Sequence, residues 1–410
     1  MRAILGLFFC TATVLGKTMT MVKHKKGAVT PNPVGFKSGQ AEDEVLTSVY
    51  AILYIGSVEV GSQTFQLLFD TGSNLLWIPS ATCGSACAPH PGYTGPYTPL
   101  NKNFQIIYGS GNVSGTYGDA PVTLGGATLA SFTVGLATEV NLNGYSSSDF
   151  DGLLGLAWPM GRDRSFVESI IPTLYQQGKI GQNLFAMYLT PDGSGGEMSI
   201  GEIDTTRYVG SISWLPLIEE AWWTIAVTSI KAGSRSVSSG TGTAIVDSGT
   251  TLMIGPDDEV DAMISAIQSL TQASTYYDAS ADMYYLSCSN AAALPTLNFT
   301  LMGADYKEYF FTLSGEAYVL NTISTNPNRC YIALSKSGSL SGGSPVDWIL
   351  GDPFMRAFYS IYDYSQTRIG LAVAAGSGGV TGGGSTRGVS HMSGYVFAVL
   401  LVVFSALAFA

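Results

Sequence analysis

The chain has 410 residues, of which 46% are hydrophobic and only 12% are charged, so it is long enough to build more than one ordinary hydrophobic core. Its net charge is −11, and a protein this acidic is a poor candidate for binding nucleic acid or anionic lipid. The acidity is compatible with work at low pH and, equally, with plain solubility.

The first 43 residues differ from the rest of the chain because they carry six basic residues and only two acids. Residues 1–16, MRAILGLFFCTATVLG, have one basic residue, an apolar stretch and a small last residue, which is typical of a secretory signal peptide. Residues 17–43 are basic and then rich in glycine and proline, with little periodicity. We interpret 17–43 as a propeptide or flexible leader, with maturation between Gly39 and Leu46.

From Val49 onward the pattern is typical of strands joined by glycine turns. The run SVYAILYIGSVEVGSQTFQLLF holds two or three strands, and similar short runs continue through the second half of the chain. The 49 glycines and the abundance of β-branched and aromatic residues favour the same all-β interpretation.

Only two segments have a helical pattern. PDDEVDAMISAIQSL starts with Pro256 and acids, and its apolar residues Val260, Met263, Ile264, Ile267 and Leu270 fall on one helix face. SFVESIIPTLYQQG predicts a second helix, which starts either at a Ser165–Glu168 capping box or at Pro172 and ends at Gly178.

The two halves of the chain repeat each other. QLLFDTGSNLLWI around Asp70 matches TAIVDSGTTLMIG around Asp247, and FDGLLGLAWP matches the later DWILGDPFMRAF. Each half therefore carries an aspartate turn after an apolar strand and, further along, an apolar strand with glycine. This predicts two lobes related by a pseudo-two-fold axis, with one carboxylate in each, 177 residues apart.

Most other catalytic arrangements are excluded by what the sequence lacks. The three histidines are His24, His90 and His391, so a serine–histidine or cysteine–histidine pair would have to use His90. The motifs G-x-S-x-G, H-E-x-x-H and G-x-x-x-x-G-K-[ST] do not occur. We therefore expect no metal and no cofactor.

Two carboxylates that face each other cannot both ionise, so Asp70 and Asp247 would share a proton and work as general acid and general base on one water. The neighbours of each aspartate suit this role. Small turn residues let backbone N–H groups approach the carboxylates, and hydroxyls can bond across the axis or to the outer oxygens. These supporting residues are Thr71, Gly72 and Ser73 in the first turn and Ser248, Gly249 and Thr250 in the second.

The cysteines are sparse and even in number once Cys10 leaves with the signal peptide. The remaining four, Cys83, Cys87, Cys288 and Cys330, suggest two disulfides in a secreted chain. Three pairings are open, and Cys83–Cys87 with Cys288–Cys330 is the most local of them.

On these motifs, residues 44–375 resemble the pepsin family of aspartic proteases, which are secreted as zymogens. The resemblance implies a bilobal, all-β double-barrel fold with pseudo-two-fold symmetry and a few short helices, with an N-terminal lobe at 44–205 and a C-terminal lobe at 206–375. It implies a monomeric endopeptidase that cuts protein or peptide substrates between bulky hydrophobic residues at acidic pH. The leader would then inhibit its own enzyme.

The same resemblance assigns further site residues. IIYGSGNVSG resembles the flap that closes over substrate, with Tyr108 and Gly109 in it, and Trp77 matches the tryptophan that bonds the flap tyrosine. The cysteine pairs Cys83–Cys87 and Cys288–Cys330 match two family disulfides. The main apolar pocket would be lined by Leu68, Phe150 and Leu153.

The chain departs from the family in two places. The usual third disulfide of the family is absent, and the C-terminal end carries additional segments. Residues 376–394 are a Gly/Ser-rich spacer, and 395–410 form an apolar tail that predicts a GPI signal or, alternatively, a membrane helix. We expect the secretory pathway, with the cell surface or an acidic endolysosomal or vacuolar compartment as the destination. Asn112 and Asn298 begin possible glycosylation triplets.

Two other functions stay open on sequence grounds. A catalytically silent relative would bind peptides in the same cleft, and the anchored tail would also suit a non-enzymatic surface adhesin.

Overall fold

Three β-sheets form most of the described chain, which comprises residues 17–25, 52–158, 167–238, 240–271, 273–279, 281–320, 326, 328–339 and 346–386 of a computed structural model. Residues 17–216 contribute eleven strands to them: β1 (Lys17–Lys25), β2 (Ile52–Val60), β3 (Gln63–Asp70), β4 (Leu76–Pro79), β5 (Thr98–Tyr108), β6 (Gly111–Leu124), β7 (Ala127–Leu142), β8 (Gly152–Gly155), β9 (Leu184–Leu189), β10 (Gly195–Ile200) and β11 (Tyr208–Pro216).

Residues 219–386 contain the remaining strands of the described residues. They are β12 (Glu219–Glu220), β13 (Trp223–Ala232), β14 (Arg235–Ser236), β15 (Gly242–Val246), β16 (Met253–Gly255), β17 (Tyr276–Asp278), β18 (Met283–Ser287), β19 (Leu297–Met302), β20 (Lys307–Leu313), β21 (Val319–Leu320), β22 (Arg329–Ile332), β23 (Leu334–Lys336), β24 (Trp348–Leu350), β25 (Phe358–Asp363), β26 (Arg368–Ala374) and β27 (Val380–Thr386). The α-helices of these residues are α1 (Ile170–Gln176), α2 (Asp257–Leu270) and α3 (Asp352–Ala357). The expected all-β, bilobal, pepsin-like fold with a few short helices is confirmed.

The largest sheet joins the two halves of the chain. Its thirteen strands run in the order β11-β26-β25-β9-β10-β1-β2-β3-β8-β4-β7-β6-β5, so β25, near the end of the chain, pairs with β9 from the first half. The second sheet is built from the second half, in the order β23-β16-β24-β15-β13-β19-β20-β27, with β12 and β14 beside β13. The third sheet has the order β17-β18-β22-β21. The lobe boundaries 44–205 and 206–375 remain predictions.

The strands that lead to the aspartate turns are buried on both faces. The last four residues of β3 are all buried, and so are all four residues of the neighbouring strand β8. In the other half, β15 runs parallel to β24 and both are apolar. Continuous apolar runs are what a doubly covered strand requires, which explains why each acid follows such a run.

The helices agree only partly with the expectation. Helix α2 occupies the predicted residues and buries Val260, Met263, Ile264 and Ile267, although Leu270 is 40% exposed. Helix α1 begins at Ile170, between the two predicted starts; Ser165 of the proposed capping box lies outside the described residues.

The strand expected in DWILGDPFMRAF is β24, and helix α3, which follows it, was not predicted. The strand β24 ends at Leu350, and the helix begins two residues later with Pro353 in its first turn. Proline at this position lacks only an N–H that a first helical turn leaves unused, so it starts a helix where a strand would lose a ladder bond.

Two segments expected to be irregular contain strands. Residues 17–25 of the predicted leader form β1, which lies between β10 and β2, and residues 380–386 of the predicted spacer form β27 beside β20. A side chain at Gly382 would collide with the Phe310 ring, so this position of β27 has to be glycine. Because β27 pairs with β20 through its backbone and has few side chains, its sequence shows no alternating hydrophobic pattern. The signal peptide, the rest of the leader and the tail at 395–410 lie outside the described residues.

Both expected disulfides are present. Cys83 pairs with Cys87 and Cys288 with Cys330, at Cα–Cα distances of 5.7 and 4.9 Å. Within the described residues, no helix has the length and apolar character needed to cross a membrane.

Candidate active site

Asp70 and Asp247 stand at equivalent points of the two lobes, where a buried strand gives way to a turn. Asp70 is the last residue of β3 and pairs with Gly155 of β8, while Asp247 follows β15 and its N–H donates to the Leu350 carbonyl at 3.1 Å. Their residues are only 6% and 7% exposed. The chain thus sets two carboxyl groups at the inner ends of two parallel strand pairs.

Each carboxyl group receives the same two hydrogen bonds from its own turn. The Gly72 N–H donates to Asp70 Oδ1 at 2.9 Å, and the Ser73 hydroxyl donates to Asp70 Oδ2. The matching bonds to Asp247 come from the Gly249 N–H to Oδ1 at 2.9 Å and from the Thr250 hydroxyl to Oδ2 at 2.6 Å. These contacts fix both carboxyl planes before any substrate arrives.

Thr71 and Ser248 tie the two turns together across the lobes. The Ser248 N–H donates to Thr71 Oγ1 at 2.9 Å, and the Thr71 N–H donates to Ser248 Oγ at 3.1 Å. Each hydroxyl also donates onward, from Thr71 to the Val246 carbonyl at 2.9 Å and from Ser248 to the Phe69 carbonyl at 2.6 Å. All of these residues are buried in the region described, so the bonds replace water and hold the lobes in one register.

The two glycines of the turns show how closely the carboxyl groups approach. A Cβ built on Gly72 would lie 2.7 Å from the carboxyl atoms of Asp247, and one on Gly249 would collide with Asp70. Each glycine therefore lies against the carboxyl group of the opposite lobe. Any larger residue would push the pair apart, since real Cβ atoms do not come this close to other heavy atoms.

The electrostatics of the pair follow from this geometry. Burial and the charge of Asp247 raise the pKa of Asp70 to about 7, against the bonds from Ser73 and Gly72. Burial also raises the pKa of Asp247, but the bonds from Thr250, Gly249 and the Asp70 carboxyl oppose it. Because burial raises the pKa of both acids and the charge of one disfavours ionisation of the other, the pair holds one shared proton.

The β5–β6 hairpin places Tyr108 near Asp70. Trp77 in β4 donates its Nε1–H to the Tyr108 hydroxyl at 3.0 Å, and Gly109 is exposed at the hairpin tip. Burial and the charge of Asp70 raise the pKa of Tyr108 far above its usual value, so its phenol stays neutral. The hairpin is therefore tied to the same lobe as Asp70.

The predicted apolar pocket residues come together beside this hairpin. Leu68, Trp77, Phe150 and Leu153 belong to one buried cluster, and Tyr108 packs against it from the hairpin. The cluster provides an apolar surface next to Asp70.

Sequence reasoning missed two tryptophans that reach the site from the second half. The Trp222 Nε1–H donates to the Gly72 carbonyl at 3.1 Å, and the Trp223 Nε1–H donates to the Leu156 carbonyl at 3.0 Å. The only available signal was the WW pair at the start of a strand, and nothing in such a pair identifies its distant carbonyl partner.

Comparison with known proteins agrees with this geometry. Residues 53–374 match the family model described as eukaryotic aspartyl protease. The chain is 34% identical to gastricsin of Cavia porcellus over 333 residues, covering 78% of this chain and 80% of that protein. It is 34% identical to pepsin A of Sus scrofa over 342 residues, covering 81% and 84% of the two chains. Cathepsin E of Cavia porcellus is 31% identical over 345 residues, covering 82% and 84%.

Proposed function

The chain belongs to the eukaryotic aspartyl protease family and is an aspartic-type endopeptidase, and from this premise we propose that Asp70 and Asp247 are its catalytic pair. The observation that carries the proposal is the reciprocal bonding of Thr71 and Ser248, which holds each turn's glycine against the opposite carboxyl group. Thr71, Gly72, Ser73, Ser248, Gly249 and Thr250 support the pair.

The proposed reaction needs only the pair, a water molecule and the substrate peptide bond. Ionised Asp247 takes a proton from the water as its oxygen attacks the carbonyl carbon, and Asp70 gives its proton to the carbonyl oxygen. The resulting diol then collapses: Asp247 passes its proton to the leaving nitrogen, the C–N bond breaks, and Asp70 recovers a proton from a diol hydroxyl. Both carboxyl groups return to their starting states.

The raised pKa of Asp70 explains why the enzyme would be acid-active. With a pKa of about 7, Asp70 holds the shared proton at acidic pH and loses it as the pH rises past neutrality. A doubly ionised pair lacks the general acid, so turnover would fall in that range.

The apolar cluster beside Asp70 supports a preference for a bulky hydrophobic residue next to the cut bond. Leu68, Phe150 and Leu153 would contact that side chain, while Tyr108 and Gly109 of the hairpin would close over the substrate backbone. Trp77 would hold the hairpin tyrosine in place.

We also propose that the chain enters the secretory pathway, that its leader restrains the enzyme, and that the tail attaches it to a membrane by a GPI anchor. The basic leader supports the restraint because it complements an acidic body. Release from membranes by a phosphatidylinositol-specific phospholipase tests the anchor. Carbohydrate at Asn112 and Asn298 is a further proposal.

Hydrolysis of a denatured protein at acidic pH tests the catalytic proposal. Wild type should cleave it and be blocked by a statine-type mimic of the transition state, whereas Asp70→Asn and Asp247→Asn should each lose activity by on the order of 10³-fold. Asp258→Asn, on an exposed acid of α2, is the matched control. Full activity in either pair variant would overturn the proposal.

A further inference from the structure

His90 lies outside the catalytic pair, in the loop between the Cys83–Cys87 disulfide and β5, yet it is almost enclosed. Its side chain is 5% exposed and that of its neighbour Asp151 is 13% exposed. The mechanism above does not use this histidine.

Both ring nitrogens of His90 face hydrogen-bond acceptors. Nδ1 is 3.1 Å from Asp151 Oδ1, and Nε2 is 2.9 Å from the Tyr145 carbonyl oxygen. A neutral imidazole carries one N–H and can serve only one of these acceptors, whereas an imidazolium donates to both. The surroundings therefore match the protonated ring.

Asp151 is itself fixed to the strand that ends in Asp70. Its Oδ2 accepts the Gln66 N–H at 2.8 Å, and its own N–H donates to the Gln66 carbonyl at 2.7 Å. Asp151 also directly follows Phe150, one of the pocket residues. A change at His90 thus reaches the pocket wall through a single residue.

Tyr145 provides a second route to the same pocket. Its ring lies 4.3 Å from the His90 ring, 5.6 Å from Phe150 and 6.1 Å from Trp77, measured between centroids. Its hydroxyl donates to the Asp151 carbonyl at 2.8 Å. Trp77 in turn donates a hydrogen bond to Tyr108 of the hairpin. The loop from Tyr145 to Asp151 therefore contacts the pocket residue Phe150 directly and the hairpin through Trp77.

We infer that His90 is a positioning residue: as an imidazolium it clamps the loop from Tyr145 to Asp151 behind the apolar pocket, and this clamp weakens when the ring loses its proton. The inference rests on the proposed function, because the pocket matters only if it receives a substrate side chain. It makes binding of a bulky residue dependent on pH separately from the catalytic pair.

The charges around the ring agree with this clamp. The titratable groups that face the His90 ring are Asp151, Asp149 and Tyr145, all from one loop. Among the described groups that change the pKa of His90, none is a cation. Burial lowers the pKa of His90, but the bonds with Asp151 and the Tyr145 carbonyl and the two carboxylate charges outweigh it, so the pKa lies above its ordinary value. The clamp is therefore fully present below about pH 6.5 and is lost as the pH rises through the folded-state pKa.

The test compares His90→Gln and Asp151→Asn with wild type, using two non-cleavable reduced-bond peptides that differ only in phenylalanine or alanine before the reduced bond. Dissociation constants are measured between pH 4.5 and 8, so no turnover is needed. For wild type the phenylalanine peptide should bind several-fold more weakly above the His90 titration, which a histidine NMR titration locates. The alanine peptide should change much less.

In His90→Gln the phenylalanine peptide should bind several-fold more weakly at pH 4.5, and the step assigned to His90 should disappear. Asp151→Asn keeps a carbonyl oxygen as acceptor at residue 151 but removes the negative charge, so it should lower the pKa of His90 in the NMR titration. Asp149→Asn removes an exposed charge of the same loop and is the control, with a smaller expected effect on that pKa. Unchanged affinity and an unchanged pH profile in His90→Gln would overturn the inference, as would a His90 that does not titrate between pH 5 and 8. Loss of catalysis with these steps intact would instead refute the proposed function alone.

Discussion

The turns around Asp70 and Asp247 have the same hydrogen bonds but different covers. Each carboxyl group accepts one glycine N–H and one hydroxyl from its own turn. Asp70 lies near Tyr108 of the hairpin and beside the apolar cluster, whereas Asp247 follows β15, whose Ile245 belongs to a separate cluster with Ile254 and Ile349.

The equivalent turns of the two halves produce an equivalent pair of aspartates, and the different surroundings of the two acids distinguish them. The backbone geometry alone would give two equal acids. The neutral hydroxyl of Tyr108 lies near Asp70, and Trp77 holds it there. The variants below ask where the equivalence of the lobes holds and where it fails.

The glycines of the two turns should be equally intolerant of a side chain. Gly72→Ala and Gly249→Ala each place a methyl group against the opposite carboxyl, so kcat/KM should fall by on the order of 10²-fold, a barrier increase of about 3 kcal/mol. Gly240→Ala, where an added Cβ meets open space, is the control. A tolerated alanine in one turn alone would show that the carboxyl groups do not face each other symmetrically.

Asp70→Asn should stabilise the fold at neutral pH relative to wild type. Because the folded-state pKa of Asp70 is raised from 3.8 to about 7, the native state binds more protons than the unfolded state in this window, and wild-type stability falls as pH rises through it. Asparagine removes that penalty, so the stability difference between variant and wild type should grow by a few kcal/mol from pH 4 to 7. Urea unfolding at both pH values measures it, and a difference independent of pH would contradict the raised pKa.

Breaking the link between the turns should cost similar stability from either side. Thr71→Val and Ser248→Ala each leave a buried N–H without its acceptor, and each should lower the free energy of unfolding by about 1–3 kcal/mol. Thr71→Ser keeps the hydroxyl and should retain most of the stability. The double variant should cost less than the sum, since both changes break one network; strict additivity would mean that the two hydroxyls act independently.

The smallest effects should come from two tryptophans, one from each half of the chain, that donate to groups around Asp70, and their effects should differ. Trp77→Phe removes the donor to Tyr108 and should raise KM several-fold. Trp222→Phe removes a donor to the Gly72 carbonyl, a group still close to solvent, and should raise KM less than twofold. Steady-state kinetics at one acidic pH compare them, and equal effects would argue against a special role for the hairpin.

The sequence predicted the parts of this molecule that leave a pattern. The repeated aspartate turns after apolar runs located Asp70 and Asp247, and the 3.6-residue period located α2, because those signals follow directly from burial on one or two faces. Helix α3 was hidden since its apolar residues also suit a strand, and only the position of Pro353 favours a helix start.

Other features depend on contacts between distant segments and leave no local signal. Trp222 reaches Gly72 across 150 residues of sequence, and β27 pairs through the backbone of a glycine-rich segment. From the sequence, His90 was considered only as a possible partner in a catalytic pair. In the structure it bonds with Asp151 and the Tyr145 carbonyl, and no motif or spacing in the sequence connects these residues.

The most direct measurement is a crystal structure of the protein with a statine-type transition-state mimic bound. The secondary hydroxyl of the inhibitor should occupy the position of the attacked water and lie within about 3 Å of a carboxyl oxygen of both Asp70 and Asp247. A hydroxyl bonded to one aspartate with the other turned away, or an inhibitor bound elsewhere on the molecule, would contradict the account.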